Sequence, residues 1–220
     1  MRSAFAVVVL ALGLAHGAPV SATAADALLA AARDGDLAAV EAALAAGAAV
    51  DTRDDRGRTA LLVATVHDHP AVARRLIEAG ADVDASDHQR DTPFLYAGAE
   101  GRIEILRMTL AAGADLASTN RYGGTALIPA AHHGHVDAVR MLLDTAIDVD
   151  HVNRLGWTAL LEAIILGDGG PTHTEIVRLL LAGGADPDLA DGDGVRPLAH
   201  AQSRGYRPIA ALLEAAGARP

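Results

Sequence analysis

Apolar residues in this chain recur in short bursts at helical spacing. Val139, Leu142 and Leu143 form one burst, and Val177, Leu180 and Leu181 another. The i, i+3, i+4 pattern predicts amphipathic helices. Shorter apolar pairs precede them, such as Leu61 with Ala64 and Leu160 with Ala163. Each pair follows a threonine: Thr59, Thr92, Thr125 and Thr158, spaced 33 residues apart. A threonine before an apolar run predicts a helix N-cap. Five residues before each threonine stands Asp54, Asp87, Asn120 or Asn153, with Asp191 in the last unit, in segments such as "DDRGRTALLVA" and "NRLGWTALLEA". Asp/Asn-x-x-Gly is turn chemistry.

The second helix of each unit ends at Gly47, Gly80, Gly113, Ala146, Gly184 or Gly217. The step is 33 throughout, except for 38 across the fifth unit. Three residue classes therefore share one register. Neither helix is long enough to be stable alone in water, so stacking of neighbouring units must supply the core. Glycine suits a left-handed helix end, so Ala146 is expected to take a positive φ if its unit keeps the shared geometry.

Segments such as "GRTALLVATVHDHPAVARRLIEAGADVDASD" and "GVRPLAHAQSRGYRPIAALLEAAGA" resemble the ankyrin repeat pattern G-x-T-P-L-H-x-A…L-L-x-x-G-A-D, from Asp26 to Ala218. The resemblance implies an all-α repeat solenoid of helix-turn-helix units with short β-hairpin fingers. It divides the chain into an N-terminal cap (26–53), repeats at 54–86, 87–119, 120–152 and 153–190, and a C-terminal cap (191–220). The chain departs from the pattern in places. The histidine after T-P-L is Leu62, Leu95, Ile128, Leu161 or Ala199, Arg90 stands where a turn glycine belongs, Pro129 falls near a helix start, and Arg196 replaces the capping threonine.

The first residues read differently. Arg2 precedes an apolar run from Ala4 to Ala15 and then the A-x-A stretch Ala22-Thr23-Ala24. This is the layout of a secretory signal peptide over 1–24, leaving a repeat domain at 25–220. The run of about 12 residues is shorter than the roughly 20 needed to span a bilayer. All the basic residues are arginine and alanine abounds, a composition of GC-rich bacterial genomes, which points to the periplasm. There is no cysteine and the formal net charge is −10. Thiol chemistry is excluded, and acidity argues against nucleic acid and anionic membranes.

"HHGHVDAV" raises the question of a metal site. Counted in 33-residue steps, His135 matches His69, Arg102 and Asp168, with Tyr206 in the last unit, so it reads as a residue that starts the second helix. The positions of His132 and His133 hold Val66 and His67, Ala99 and Glu100, Ile165 and Leu166, and Ser203 and Arg204 elsewhere, and this variation leaves them available to a partner. Two adjacent helical side chains diverge, so no metal or other cofactor is expected.

The resemblance implies protein binding through the finger tips and the first-helix groove. The tips include Arg56 and Arg58, Gln89 and Asp91, and then Arg121, Tyr122, Arg154, Leu155 and Trp157. Large side chains and arginines dominate interface energetics, so the last five, with His132 and His133, form the candidate site. The insertion at 166–177, "LGDGGPTHTEIV", carries the five extra residues as a glycine-rich loop and adds Ile165, Leu166, Asp168 and His173 to the candidates. The serines lack a Gly-x-Ser-x-Gly setting, and the acidic residues recur at turn and cap positions. The expectation is therefore a monomeric, non-catalytic, exported protein-binding module that scaffolds or helps another exported protein. The alternatives are an inhibitor or immunity protein against a toxic enzyme, and a small-ligand or metal binder using His132, His133 and the 166–177 loop.

Overall fold

The threonines of the 33-residue step open helices. In the computed structural model, which describes residues 20–219, Thr59 Oγ1 accepts from the Leu62 amide at 3.3 Å, Thr92 Oγ1 from Leu95 at 3.1 Å and Thr158 Oγ1 from Leu161 at 3.2 Å. Thr125 behaves differently because Pro129, four residues on, has no N–H. The amides of Val63, Tyr96 and Glu162 bond to the carbonyl of the capping threonine. With proline at that place, Ile128 N takes the Thr125 carbonyl instead, and the buried Thr125 hydroxyl has no hydrogen-bond partner among the described residues. The helix consequently starts at Leu127.

The described residues hold six helix pairs: α1 (Val20–Asp34) with α2 (Leu37–Ala45), α3 (Ala60–Val66) with α4 (Pro70–Glu78), α5 (Pro93–Ala99) with α6 (Ile103–Ala111), α7 (Leu127–His132) with α8 (Val136–Leu143), α9 (Ala159–Ile165) with α10 (Pro171–Ala182), and α11 (Pro197–Ser203) with α12 (Arg207–Ala215). The odd-numbered helices pack on one another in sequence and the even-numbered helices form a second row. One continuous core runs between the rows. Leu61, Leu76, Phe94, Leu106, Leu127, Leu142, Leu160 and Leu180 are fully or almost fully buried in it. No repeat closes a core of its own, so burial and stability come from the stack.

The fingers are tight turns rather than ladders. Among the described residues one isolated bridge forms, Arg53 with Thr59. Each finger is instead closed by its Asp or Asn. Asn153 Oδ1 accepts from the amides of Leu155 (2.9 Å) and Trp157 (3.1 Å), and Asp54, Asp87, Asn120 and Asp191 do the same in theirs. Arg90 takes φ +66°, the left-handed conformation that Gly57 and Gly123 adopt at the same place.

Two expectations are corrected. Ala146 does not adopt positive φ; among the described residues Asp68 and Arg90 are the non-glycines that do. In the neighbouring repeats the residue after the final glycine bonds back to the helix, as Ala81 N does to Leu76 O at 3.0 Å. In the fourth repeat the Thr145 hydroxyl takes over. It donates to Leu142 O at 2.6 Å and accepts from Ile147 N at 3.2 Å, and α8 stops one residue short of its counterparts, at Leu143.

The second correction concerns the insertion. It is not purely a loop, because α10 has 12 residues where α4 and α6 have 9. The helix absorbs three of the extra residues, with Pro171 at its first position, where a missing N–H costs nothing. Asp168 is therefore not the counterpart of His135. Measured back from Gly184, that place belongs to His173.

Candidate protein-binding groove

The finger turns and the α3, α5, α7 and α9 row enclose a groove of about 590 Å³. Leu62, Leu95 and Ile128 occupy equivalent positions in three successive repeats along it, and Pro129, Leu155 and Leu166 extend its apolar surface. Asp91, Glu100 and Glu162 supply carboxylates, while Arg56, Arg58 and Arg121 come from the fingers. Arg58 is paired with Asp54 at 2.7 Å. Arg121 donates to Gln89 Oε1 and lies 4.7 Å from the centre of the Tyr122 ring, a cation–π contact. Tyr122 is 52% exposed and Leu155 54%, on neighbouring fingers.

Among the charged residues that line the groove, Glu162 is the most deeply set. Its side chain is 9% exposed. Oε1 accepts from Asn153 Nδ2 at 2.8 Å, and Oε2 lies 3.9 Å from His132 Nδ1, beyond hydrogen-bond reach. Burial pushes its carboxyl above the ordinary range, against the lowering effects of the Asn153 bond and His133. Asp91 is also raised, by burial first and then by Asp87. Burial and the neighbouring His133 lower His132, so its ring is biased toward the neutral form.

The histidines of "HHGH" have separate tasks. His132 and His133 both line the groove, with ring centroids 4.7 Å apart. His133 Nδ1 donates to Ala99 O at 2.7 Å in the preceding repeat. His135 precedes α8 and its ring covers Gly101. Among the described residues no three His, Asp or Glu side chains converge on a metal-binding position.

An ankyrin repeat family model matches three times, over residues 8–87, 28–120 and 94–191. The chain belongs to the ankyrin repeat family. An ankyrin repeat domain from Acinetobacter baumannii AYE, solved by crystallography, is 57% identical, with 87% of this chain and 98% of that one covered and a TM-score of 0.85. The crystal structure of the ankyrin repeat protein EF0377 is 40% identical, over 86% and 97% of the two chains, with a TM-score of 0.83. The ankyrin repeat domain of Bcl-3, of the IκB family, is 29% identical, over 88% and 86%, with a TM-score of 0.78. The ankyrin repeat protein YahD of Escherichia coli (strain K12) is 54% identical over 57 residues, 26% of this chain and 28% of that protein. The aligned part is thus under a third of the curated relative's length. Ankyrin repeats are a generally non-enzymatic, protein-interaction fold.

Of the residues singled out in the sequence, Arg121, Tyr122, His132, His133, Leu155 and Leu166 meet in the ankyrin groove. Arg154, Trp157, Ile165, Asp168 and His173 are not part of its lining. Arg154 Nη1 donates to Arg121 O at 2.7 Å, bracing one finger on the next. Trp157 is half-buried, and so is Ile165. Asp168 Oδ1 accepts from the Gly170 amide at 2.8 Å and faces His173 Nδ1 at 2.9 Å, a local brace of the inter-helix turn. Backbone donation from Gly170 and then the His173 contact hold the Asp168 carboxyl below the ordinary range. Sequence reasoning missed Glu162. The signal was there, since its counterparts are Val63, Tyr96, Pro129 and His200, and a position so variable is not set by the fold.

No helix among the described residues is long and apolar enough to cross a membrane. The leader expected over 1–24 lies almost wholly outside the described residues, apart from the start of α1.

Proposed function

We propose that this ankyrin array binds an extended segment of another exported protein in its groove, as a monomeric scaffold or helper in the periplasm. The observation that carries this reading is the groove itself. Exposed Tyr122, Leu155 and Leu166 stand around a recess deep enough to bury side chains of a partner. Export rests on the N-terminal charge, apolar run and Ala22-Thr23-Ala24. Cleavage after Ala24 leaves Leu28, Leu29, Ala31 and Ala32 to keep α1 in the core. The acidic balance of −10 favours a basic partner and faster association with it, which also suits an inhibitor of a basic exported enzyme.

The test is a partner captured from periplasm and then remeasured against purified Tyr122→Ala/Leu155→Ala. If these side chains are hot spots, the double variant loses about 2 kcal/mol or more of affinity, with circular dichroism unchanged. Unaltered affinity moves the interface off the groove. A chain found in the cytoplasm with Met1 intact refutes export.

A further inference from the structure

We propose that the Glu162 carboxylate is the anchor for an arginine side chain carried on the partner's extended segment. The inference rests on the groove being the binding face and adds the chemistry of what enters it.

The argument begins with a comparison inside the molecule. Asn153 and Glu162 stand at the same two repeat positions as Asp191 and His200. In the last repeat the pair is complementary: Asp191 Oδ2 meets His200 Nε2 at 2.7 Å. In the fifth repeat the acid has exchanged places and its partner is a neutral amide. Asn153 occupies Oε1 alone. Oε2 accepts no hydrogen bond among the described residues, and the ring nitrogen nearest to it is 3.9 Å away. A carboxyl group is thus held in a side chain 9% exposed, facing the groove, with one of its two oxygens accepting no hydrogen bond.

Charges buried without a counter-ion are destabilising. Val63, Tyr96 and Pro129 fill the position in other repeats, so the fold does not need a carboxylate there. The raised Glu162 carboxyl reflects that cost, and a cation delivered by a ligand removes it. Guanidinium fits better than ammonium because it is less strongly hydrated and carries several donors in one plane. Pro129, Leu155 and Leu166 offer apolar surface to the methylene stem.

The probes are capped heptapeptides of one leucine–alanine background whose central residue is arginine, citrulline, lysine or glutamate. Each is titrated into the full chain and followed by NMR at the groove amides and at the Asn153 side-chain amide. The expected result is that the arginine peptide binds about ten-fold tighter than its citrulline isostere and shifts the Asn153 side-chain resonances. In Glu162→Gln, which keeps an acceptor for Asn153, the advantage disappears and citrulline binding stays as it was. Equal binding of arginine and citrulline with groove resonances moving overturns the anchor and leaves the groove reading standing. Preference for glutamate overturns it in favour of the arginines of the fingers. Lysine matching arginine overturns the assignment to guanidinium, and peptides that move no groove resonance overturn the anchor as well.

Discussion

His173 Nε2 donates to the carbonyl oxygen of His132, one repeat back in the stack, at 2.9 Å. The same reach recurs elsewhere: His69 Nε2 to Arg33 O at 2.9 Å and Tyr206 Oη to Gly167 O at 3.0 Å. These rings stand at or near the start of the second helix of their repeats and bond to the end of the previous repeat's first helix or the turn after it. They tie neighbouring repeats together where the helices leave backbone carbonyls unpaired. His173 also covers Gly167 so closely that a Cβ there would strike the ring.

Replacing His173 by alanine should therefore destabilise the array. Loss of the part-buried bond to the His132 carbonyl predicts a cost of about 1 kcal/mol, read as a lower urea midpoint. Affinity for a groove-bound partner should fall little, because His173 is outside the groove. A midpoint equal to wild type would mean that the insertion is held by something other than this contact.

What was legible in the sequence follows from what is periodic. The helix pairs, the threonine caps and the left-handed turn at Arg90 repeat every 33 residues, so each copy reports on the others. Asp168 was misplaced because the 33-residue count was carried forward from His135 through the insertion. Counting back from Gly184 reaches His173, since the helix end is the fixed point and the start is what grew. The groove was harder to read. Trp157 stood out as a large side chain at a finger tip, yet burial depends on which finger faces the recess. Glu162 looked like one more acid at a helix start, and only the stacking of α7 against α9 makes it a buried charge.

Arg90 and Ala146 test the backbone. Both stand where neighbouring repeats place a glycine, but φ is positive only at Arg90. Arg90→Gly relieves a left-handed side-chain-bearing residue and should stabilise by up to about 1 kcal/mol. Ala146→Gly relieves nothing and adds unfolded-state entropy, so it should cost roughly 0.5–1 kcal/mol. Urea midpoints should move in opposite directions. A stabilising Ala146→Gly would show that the Thr145 hydroxyl does not hold that helix end.

Glu162 should leave a signature in the pH dependence of stability. Its carboxyl is raised in the folded protein above the ordinary value of 4.5. The unfolded chain therefore releases this proton at lower pH than the folded one. The stability contributed by the protonated folded form is fully present below the unfolded value and is lost as pH rises through the folded one. Glu162→Gln has no proton to lose there and keeps an acceptor for Asn153. The stability difference, variant minus wild type, should thus grow as pH rises from about 4.5 through the raised folded value and then level off, with the variant the more stable above it. Taking the difference cancels the contributions of the other titrating groups, provided His132 and His133 titrate alike in both proteins. Chemical melts at half-unit pH steps measure it. A difference that stays flat with pH, or one that favours the wild type at neutrality, would mean that the carboxylate is adequately stabilised by its own fold and does not await a cation.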